Sequence, residues 1–204
     1  MRDTLNTLYE KERMRLASLC GMDVPTGEFL TPAFGEGPFS PRLMLVGEAP
    51  GGEESRLSRP FVGRAGKQLD ELLAGAGIKR NEVFVTNTVK YRPTKPGARG
   101  AANRTPTKKE VADSLWLLRE EILLVSPKVI ATLGNTPLSA VLTIAGEAPA
   151  VVGALHGKPI MLRAAGRAFT LVPLYHPASC IYNRNLLPVM DEDVKALGAL
   201  LDQI

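Results

Sequence analysis

The chain has 204 residues, of which 45% are hydrophobic and 23% are charged, as in an ordinary globular domain. Two cysteines exclude a disulfide framework, and with only two histidines they argue against a metal site built from Cys and His. The formal net charge of +4 is compatible with a polyanionic partner. No apolar run is long enough to span a membrane and the N-terminus lacks a secretory signal, so we expect a cytoplasmic protein.

Hydrophobic periodicity divides the chain into alternating helices and strands. It predicts helices at residues 3–19, 64–76, 108–125, 138–144 and 191–201. It predicts main strands at residues 42–46, 83–86, 127–133 and 169–173, and a minor strand near 158–162. Residues 20–41 are rich in Gly and Pro and are interpreted as a long ordered loop. Thr107 and Glu110 have the spacing of a capping box at the start of a helix.

The alternation of strands and helices predicts an α/β fold. We expect a single-domain, three-layer sandwich over residues 1–204, with a central four-stranded parallel sheet covered by helices on both faces. The chain contains no internal repeat and no linker that would divide it. Because parallel strands all point one way, polar residues at their carboxyl ends are expected to meet along one edge.

A cationic segment interrupts this pattern at residues 90–109. It contains seven Lys or Arg residues and no Asp or Glu, together with five Pro or Gly residues. This composition is typical of an exposed, flexible loop. Two interpretations stay open, a solvated surface insertion and a loop that binds a polyanion.

Polar side chains follow three of the predicted strands. Glu48 lies in a Gly/Pro-rich turn after the first strand, Asn87 ends the second, and His176 follows the fourth. An acid, an amide and an imidazole in one crevice can support acid–base chemistry or stabilise a developing anion. Taken singly, each also fits a structural role, as a helix N-terminal anion, a turn former or a loop histidine. Their equivalent positions favour a shared site.

Several motifs resemble those of the family 4 uracil-DNA glycosylases. They are Gly-Glu-Ala-Pro-Gly at 47–51, Arg-Pro-Phe-Val-Gly-Arg-Ala-Gly at 59–66, the residues at 86–93, His-Gly-Lys at 156–158, and Tyr-His-Pro-Ala at 175–178. The resemblance runs in order over nearly the whole chain from Cys20 onward. It implies a monofunctional enzyme of base excision repair that flips uracil out of DNA and hydrolyses its N-glycosidic bond.

The same resemblance implies a role for each residue around the base. Phe61 is expected to stack on the flipped ring, and Asn87 to read the O4 and N3 edge of uracil and so reject cytosine. His176 is expected to donate a hydrogen bond to O2 as negative charge develops there, a task that a neutral imidazole can perform. These three residues would therefore both recognise the base and stabilise it as a leaving group.

Further residues are assigned by resemblance to the sugar side and the rim of the pocket. Glu48 is expected to position or activate water, or to stabilise the sugar cation. Glu54 matches a position beside the C5 edge of uracil, where crowding would exclude the thymine methyl group. Backbone groups around Ala49 and Gly51 are expected to contact the base. The sequence does not distinguish between the roles open to Glu48.

The expected partner is uracil-containing DNA, single- or double-stranded, bound by a monomer associated with the nucleoid. Residues 178–184 are expected to enter the groove, with Ile181 or Tyr182 filling the gap left by the base. An equally open interpretation is an ordinary loop whose aliphatic residue packs on the core. The DNA-binding residues predicted in this way are Arg64, Arg92, Arg99, Arg104, Ala178, Ser179, Ile181 and Arg184.

The chain departs from the family at the iron–sulfur cluster. Family 4 enzymes typically hold a four-iron, four-sulfur cluster on four cysteines, and the resemblance places Cys20, Asp23, Tyr91 and Ser114 at those positions. One thiolate cannot hold such a cluster, so we expect no metal and no cofactor. Tyr91 and Trp116 are then expected to fill the vacated volume, Cys20 to be a small buried residue, and Cys180 to lie in a loop.

A related branch of the superfamily carries a long basic loop with a histidine that traps the abasic sugar covalently. Asn103 falls about where that histidine would lie. An amide is a poor nucleophile, so turnover is expected rather than capture. Two alternatives stay open, a non-catalytic DNA-binding member of the superfamily and an enzyme for another deaminated base such as hypoxanthine or xanthine. The remaining histidine, His156, is interpreted as structural.

Overall fold

A computed structural model describes residues 1–20, 27–98, 100–164 and 166–204 of the chain. Two sheets are formed by strands that are numbered here in chain order. They are β1 (Gly27–Glu28), β2 (Leu43–Gly47), β3 (Val83–Asn87), β4 (Arg92–Gly97), β5 (Gly100–Asn103), β6 (Val129–Leu133), β7 (Ile160–Ala164) and β8 (Arg167–Leu174).

The helices cover both faces of the larger sheet. They are α1 (Arg2–Ser18), α2 (Gly52–Leu57), α3 (Arg64–Gly75), α4 (Lys108–Val125), α5 (Asn135–Ala145), α6 (Val152–Leu155), α7 (Pro177–Tyr182) and α8 (Leu186–Leu201), with a short 3-10 helix at Arg80–Glu82. Among the described residues, no helix has the length and apolar character required to cross a membrane.

The larger sheet has the strand order β3-β2-β6-β8-β7. The first four strands are parallel, and β7 pairs antiparallel with β8 at the edge. The predicted α/β fold with a four-stranded parallel sheet is therefore confirmed, and the minor strand adds a fifth, antiparallel member. Gly47 pairs in register with Asn87, so the ends of β2 and β3 lie side by side.

The parallel strands are buried on both faces, which explains why they appear in the sequence as continuous apolar runs. In β2, Met44 and Val46 belong to one core cluster, whereas Leu43 and Leu45 belong to another on the opposite face. The first cluster is completed by α1, α4 and α5, and the second by α3 and α8. The three layers follow from this two-sided burial.

The cationic segment is ordered differently from the prediction. Arg92–Gly97 and Gly100–Asn103 form the antiparallel hairpin β4–β5, and β1 pairs with β4 to complete a second, three-stranded sheet. The interpretation of the whole segment as a loop is therefore wrong. Lys90, counted among its cations, is completely buried. The pattern failed because Pro96, Gly97 and Gly100 lie beyond the two-residue β1, near the end of the hairpin, where strands tolerate the Pro and Gly residues that usually indicate a loop.

The predicted capping box at the start of α4 is confirmed. Thr107 Oγ1 accepts a hydrogen bond from the Glu110 backbone N at 3.2 Å, and Glu110 Oε2 accepts one from the Thr107 N at 2.7 Å. A cap of this kind stabilises a helix by about 1 kcal/mol. Periodicity did not predict the three short helices α2, α6 and α7, because they are too short to show an apolar stripe.

Candidate active site

The carboxyl ends of the parallel strands open into one cavity of about 350 Å³. Glu48, Asn87 and His176 all line it, so their expected convergence is confirmed. The cavity is also lined by predicted binding residues from the turns and helices that follow β2 and β8, namely Ala49, Gly51, Glu54, Phe61, Arg64, Ala178 and Ile181. These residues lie close together because the carboxyl ends of parallel strands, and the turns that follow them, share one edge of the sheet.

Asn87 is held at the floor of the cavity and is only 2% exposed. Its register partner Gly47 has no side chain, and a Cβ built there would lie 2.3 Å from Asn87 Oδ1 and 2.5 Å from Phe61 Cζ. The glycine therefore makes room for the amide and the aromatic ring to approach each other. This packing fixes the two groups that are predicted to read and to stack on a base.

Phe61 occupies the left-handed region of backbone conformation, with φ of 54°, which is uncommon for a residue other than glycine. Its side chain is buried in the core cluster that contains Leu43 and Leu45 of β2. A Cβ at Gly66 would lie 2.0 Å from the Phe61 carbonyl oxygen, so that glycine is required for the tight turn into α3. The strained backbone is held by its surroundings and places the ring beside Asn87.

His176 is the N-cap residue of α7, and this role determines its tautomer. Its Nδ1 accepts a hydrogen bond from the Ala178 backbone N at 3.1 Å. A nitrogen that accepts must lack a proton, so in the neutral ring the proton is on Nε2. Burial lowers the pKa of His176, an effect that the negative charge of Glu54 opposes. The geometry thus presents a neutral ring with one N–H donor.

Glu48 has a partner that the sequence reasoning missed. Thr136 Oγ1 donates a hydrogen bond to Glu48 Oε2 at 2.6 Å. Thr136 lies in the first turn of α5, directly after β6. A polar residue after the carboxyl end of β6 was the available signal, because this strand is parallel to β2 and β8 and ends at the same edge.

Glu54 joins two turns of the cavity wall. Its Oε1 accepts from the Gly63 backbone N at 2.7 Å, and its Oε2 accepts from the Gly51 N at 3.2 Å. Both carboxylate oxygens are therefore used to hold the ends of α2 and α3 together. Ala49 in the same wall packs against a small apolar cluster that includes Tyr91. The hydrogen bonds from the Gly51 and Gly63 backbone to Glu54 therefore restrict the movement of this wall.

The predicted DNA-binding arginines of the hairpin make internal contacts. Arg92 Nη1 contacts Glu28 Oε1 at 2.6 Å, and Arg92 Nε donates to Asn103 Oδ1 at 2.7 Å. Arg104 lines the cavity but also pairs with Glu110 at 2.7 Å. These guanidinium groups stabilise the hairpin and hold it against the site. Arg99 lies outside the described residues.

The other predicted DNA-binding residues lie on the opposite rim. Ala178, Ser179 and Ile181 belong to α7, so the expected loop at 178–184 is largely a short helix. Tyr182 ends this helix at the mouth of the cavity with 90% of its surface exposed. Arg184 lines an adjoining groove of about 440 Å³. Tyr182 on α7 and Asn103 on the hairpin are therefore both exposed at the mouth of the cavity.

The positions that the resemblance assigns to an iron–sulfur cluster have other roles here. Cys20 is exposed, and Asp23 lies outside the described residues. The Tyr91 hydroxyl donates to Glu110 Oε1 at 2.8 Å, and the Ser114 hydroxyl donates to the Glu110 carbonyl at 2.8 Å. The described part of the chain contains no group of three or more His, Cys, Asp or Glu side chains that could hold a metal ion. The residues present do not fit a cluster.

Three expectations about this region need correction or refinement. Cys20 is exposed rather than buried, because it follows the end of α1 at the surface. Cys180 is buried in α7, with its Sγ 3.6 Å from Met190 Sδ, and does not lie in a loop. Tyr91 belongs to a small apolar cluster with Leu16 of α1, whereas Trp116 packs against the large core beside the sheet.

Comparison with known proteins agrees with the geometry. The family model for the uracil DNA glycosylase superfamily matches residues 34–198. A type-4 uracil-DNA glycosylase of Sulfurisphaera tokodaii is 35% identical over 167 residues, covering 81% of this chain and 73% of the relative. Type-4 enzymes of Pyrobaculum aerophilum (39% over 147 residues; 72% and 71% covered) and Thermotoga maritima (34% over 186 residues; 90% and 88% covered) are also similar. The chain belongs to the uracil-DNA glycosylase superfamily.

Proposed function

We propose that the protein is a monofunctional glycosylase that removes uracil from DNA by hydrolysis and leaves an abasic site. The observation that carries this proposal is the single cavity shared by Glu48, Phe61, Asn87 and His176. The type-4 names of its relatives support the same activity. Since the bond to a base inside a duplex is inaccessible, the nucleotide must leave the stack before it reacts.

The first requirement of the reaction is to hold uracil as an anion while the glycosidic bond breaks. The Nε2–H of His176 is the donor available for O2, because Nδ1 is occupied by the Ala178 N–H. Asn87 presents an amide donor and acceptor to the opposite edge of the ring. A pre-positioned donor of this kind typically contributes about 10²–10³ in rate.

The second requirement is to stabilise the sugar cation and to place a water. Glu48 is the carboxylate of the cavity assigned to this task, and the Thr136 hydroxyl fixes its orientation through Oε2. One carboxylate oxygen remains for water or for the sugar. A fixed negative charge next to the sugar favours the oxocarbenium-like transition state whether or not it also accepts a proton.

Selectivity for uracil is assigned to the wall and floor of the cavity. Phe61 supplies the stacking surface, and Asn87 supplies the pattern of donor and acceptor that matches uracil. Glu54 has little freedom to move away from a bulky 5-substituent, because Gly51 and Gly63 hold both its oxygens. Exclusion of thymine by this rigid wall is part of the proposal.

DNA is proposed to cross the rim formed by α3 and α7. Arg64, Lys67 and Arg184 line the groove there together with Glu71, and among the described residues Arg64 and Arg184 form no salt bridge. Unpaired cations are suited to phosphate groups, whereas Arg92 and Arg104 already have carboxylate partners. The exposed Tyr182 is assigned to the gap left by the flipped base.

The same proposal includes the absence of an iron–sulfur cluster, a monomeric state and a cytoplasmic location. The hydroxyl groups of Tyr91 and Ser114 are committed to Glu110, and neither is a thiolate. Iron and sulfide analysis of protein purified without oxygen tests the first point. One equivalent of cluster per chain would contradict it.

Release of uracil from labelled oligonucleotides, followed by alkaline cleavage at the abasic site, tests the activity. Single- and double-stranded substrates are compared, together with hypoxanthine, xanthine and thymine as alternative bases. His176→Ala and Asn87→Ala are each expected to lower the rate about 100-fold or more. His156→Gln is the matched histidine control, because the contacts of His156 are with Asp193 and Tyr175. Absence of uracil release by the unchanged protein would refute the proposal.

A further inference from the structure

An ion pair is completely buried directly behind the active-site turn. Lys90 and Glu121 are both 0% exposed, and Lys90 Nζ lies 2.6 Å from Glu121 Oε2. Lys90 follows β3 by three residues, and Glu121 lies in α4. Neither side chain lines the cavity. A charged pair in this place requires an explanation other than contact with the substrate.

Every donor of the Lys90 ammonium group is used. Besides Glu121, it donates to Thr86 Oγ1 at 2.7 Å and to the backbone carbonyl of Asn87. A lysine ammonium has three hydrogens, so the group is fully satisfied without water. One of its three hydrogen bonds ends on the residue that is proposed to read uracil.

Glu121 also accepts hydrogen bonds from two hydroxyl groups. Its Oε1 accepts from the Tyr9 hydroxyl at 2.8 Å, and its Oε2 accepts from Thr86 Oγ1 at 3.0 Å. The resulting chain of hydrogen bonds links α1, α4 and the end of β3. Because each member has a partner, movement of Lys90 would leave a buried charge or hydroxyl unpaired, which is costly.

The turn that carries Asn87 is fixed by this network at one end and by the Glu48 turn at the other. The Val89 N donates to the Glu48 carbonyl at 3.0 Å, and the Thr88 N donates to the Gly47 carbonyl at 2.8 Å. Lys90 closes the turn back onto the Asn87 carbonyl. The network therefore supports the backbone from which the Asn87 side chain projects.

Burial of an ion pair contributes little to stability, since an apolar pair of similar volume is commonly as stable or more stable. What an apolar pair cannot supply is a directed hydrogen bond to the Asn87 carbonyl. We infer that Lys90 and Glu121 are positioning residues that set the orientation of Asn87 for uracil. This inference rests on the proposed function, because its consequence is expressed in the release of the base.

The central test replaces both charges together, so that neither is left unpaired. The Lys90→Met/Glu121→Leu variant is expected to keep its fold but to lose some thermal stability, because the Tyr9 and Thr86 hydroxyls lose their acceptor. It is expected to release uracil at least tenfold more slowly in single turnover below its unfolding temperature. Leu118→Ala, which truncates a buried residue of α4 in the apolar core, is the destabilised control and is expected to keep the normal rate below its unfolding temperature. A normal rate in the folded double variant would overturn the inference.

A double-mutant cycle separates positioning of Asn87 from a general effect. In the Asn87→Ala background, the paired substitution is expected to lower the rate less than twofold, because the group that it positions is already absent. An equal loss in both backgrounds would overturn the inference. If the paired variant does not fold, Thr86→Val replaces it, with Thr86→Ser as the conservative variant that is expected to restore the rate.

A measurement that does not depend on catalysis distinguishes a failure of the positioning role from a failure of the proposed function. In protein labelled with ¹⁵N, the side-chain amide resonances of Asn87 are expected to shift and broaden in the paired variant and to stay unchanged in Leu118→Ala. Absence of uracil release by the unchanged protein would refute the proposed function only. Unchanged Asn87 resonances in the paired variant would refute the positioning role whatever the activity.

Discussion

Thr136 Oγ1 lies 2.6 Å from Glu48 Oε2, and this hydrogen bond joins the turn after β2 to the helix after β6. The two residues are 88 positions apart in the chain. The contact commits one carboxylate oxygen of Glu48, a residue that lines the cavity. A carboxylate held in this way can act on the sugar or on water without first losing rotamer freedom.

Removal of this contact should slow the chemical step. A hydrogen bond to a charged group is typically worth about 1.5–3 kcal/mol, so Thr136→Val is expected to lower the single-turnover rate of uracil release about tenfold. Thr136→Ser keeps the hydroxyl and is expected to retain most of the activity. Equal rates for the two variants would show that Glu48 does not depend on this donor.

Gly47→Ala should disrupt the site without unfolding the protein. The new Cβ would lie within 2.5 Å of Asn87 Oδ1 and Phe61 Cζ, so both side chains must move. A displacement of this size is expected to cost about 100-fold in rate, with about 1–3 kcal/mol of overpacking strain. Gly75→Ala is the matched control, because the nearest atom to its Cβ is 4.0 Å away. Similar activities of the two variants in a uracil-release assay would contradict the packing argument.

The rate should depend on pH in the direction set by a neutral His176. Burial lowers the pKa of this histidine below its ordinary value of 6.5, so it remains neutral at and above that pH. Uracil release is therefore expected to stay constant from about pH 8 to about pH 6.5 and to fall only in more acidic solution. Protonation of Nδ1 would also break the hydrogen bond from the Ala178 N–H. A rate that rises as the pH falls would instead indicate an imidazolium donor.

The salt dependence of DNA binding should identify the rim that meets the phosphates. Replacement of Arg64 or Arg184 by Gln is expected to reduce the slope of log affinity against log salt by about 0.9 on duplex DNA for each phosphate that the arginine neutralises. Arg56→Gln is the control, because this arginine pairs with Glu53 and does not line the groove. Measurements with uracil DNA that give equal slopes for all three variants would reject the proposed path.

Acid should destabilise the start of α4, where Glu110 accepts hydrogen bonds from Arg104, Thr107 and Tyr91. Burial works to raise the pKa of Glu110, but hydrogen bonds from Arg104, Thr107 and Tyr91 outweigh it and lower the pKa to about 2 from 4.5. A depressed pKa gives stability that is present above about pH 4.5 and is lost as the pH falls towards 2. Urea titrations of Glu110→Gln should therefore show lower stability than the unchanged protein near neutral pH and a weaker loss in acid.

Glu147→Gln provides the control for that measurement, because Glu147 is exposed. The loss of stability of this variant in acid should match that of the unchanged protein. If Glu110→Gln also showed the full loss of stability between about pH 4.5 and about pH 2, the lowered pKa of Glu110 would not be its source.

The sequence alone predicted the main layers of the fold, because the evidence for them is local. Apolar runs such as the one ending at Val46 are long enough to indicate buried strands, and Thr107 with Glu110 indicates the start of α4. Glu48, Asn87 and His176 could be placed at one edge because parallel strands share their direction. The proposed roles of these residues came from resemblance, since spacing does not identify a substrate.

Contacts between distant segments were decided only by the tertiary structure. The hydrogen bond from Thr136 to Glu48, the burial of Lys90 against Glu121, and the pairing of Arg92 with Glu28 all join residues whose proximity no local pattern encodes. In the sequence Lys90 appears as one more cation of a basic segment, whereas in the fold it closes the turn that carries Asn87, the amide proposed to read the base. Local propensity and periodicity determine which elements form, but the partner of a polar group depends on where packing brings the elements together.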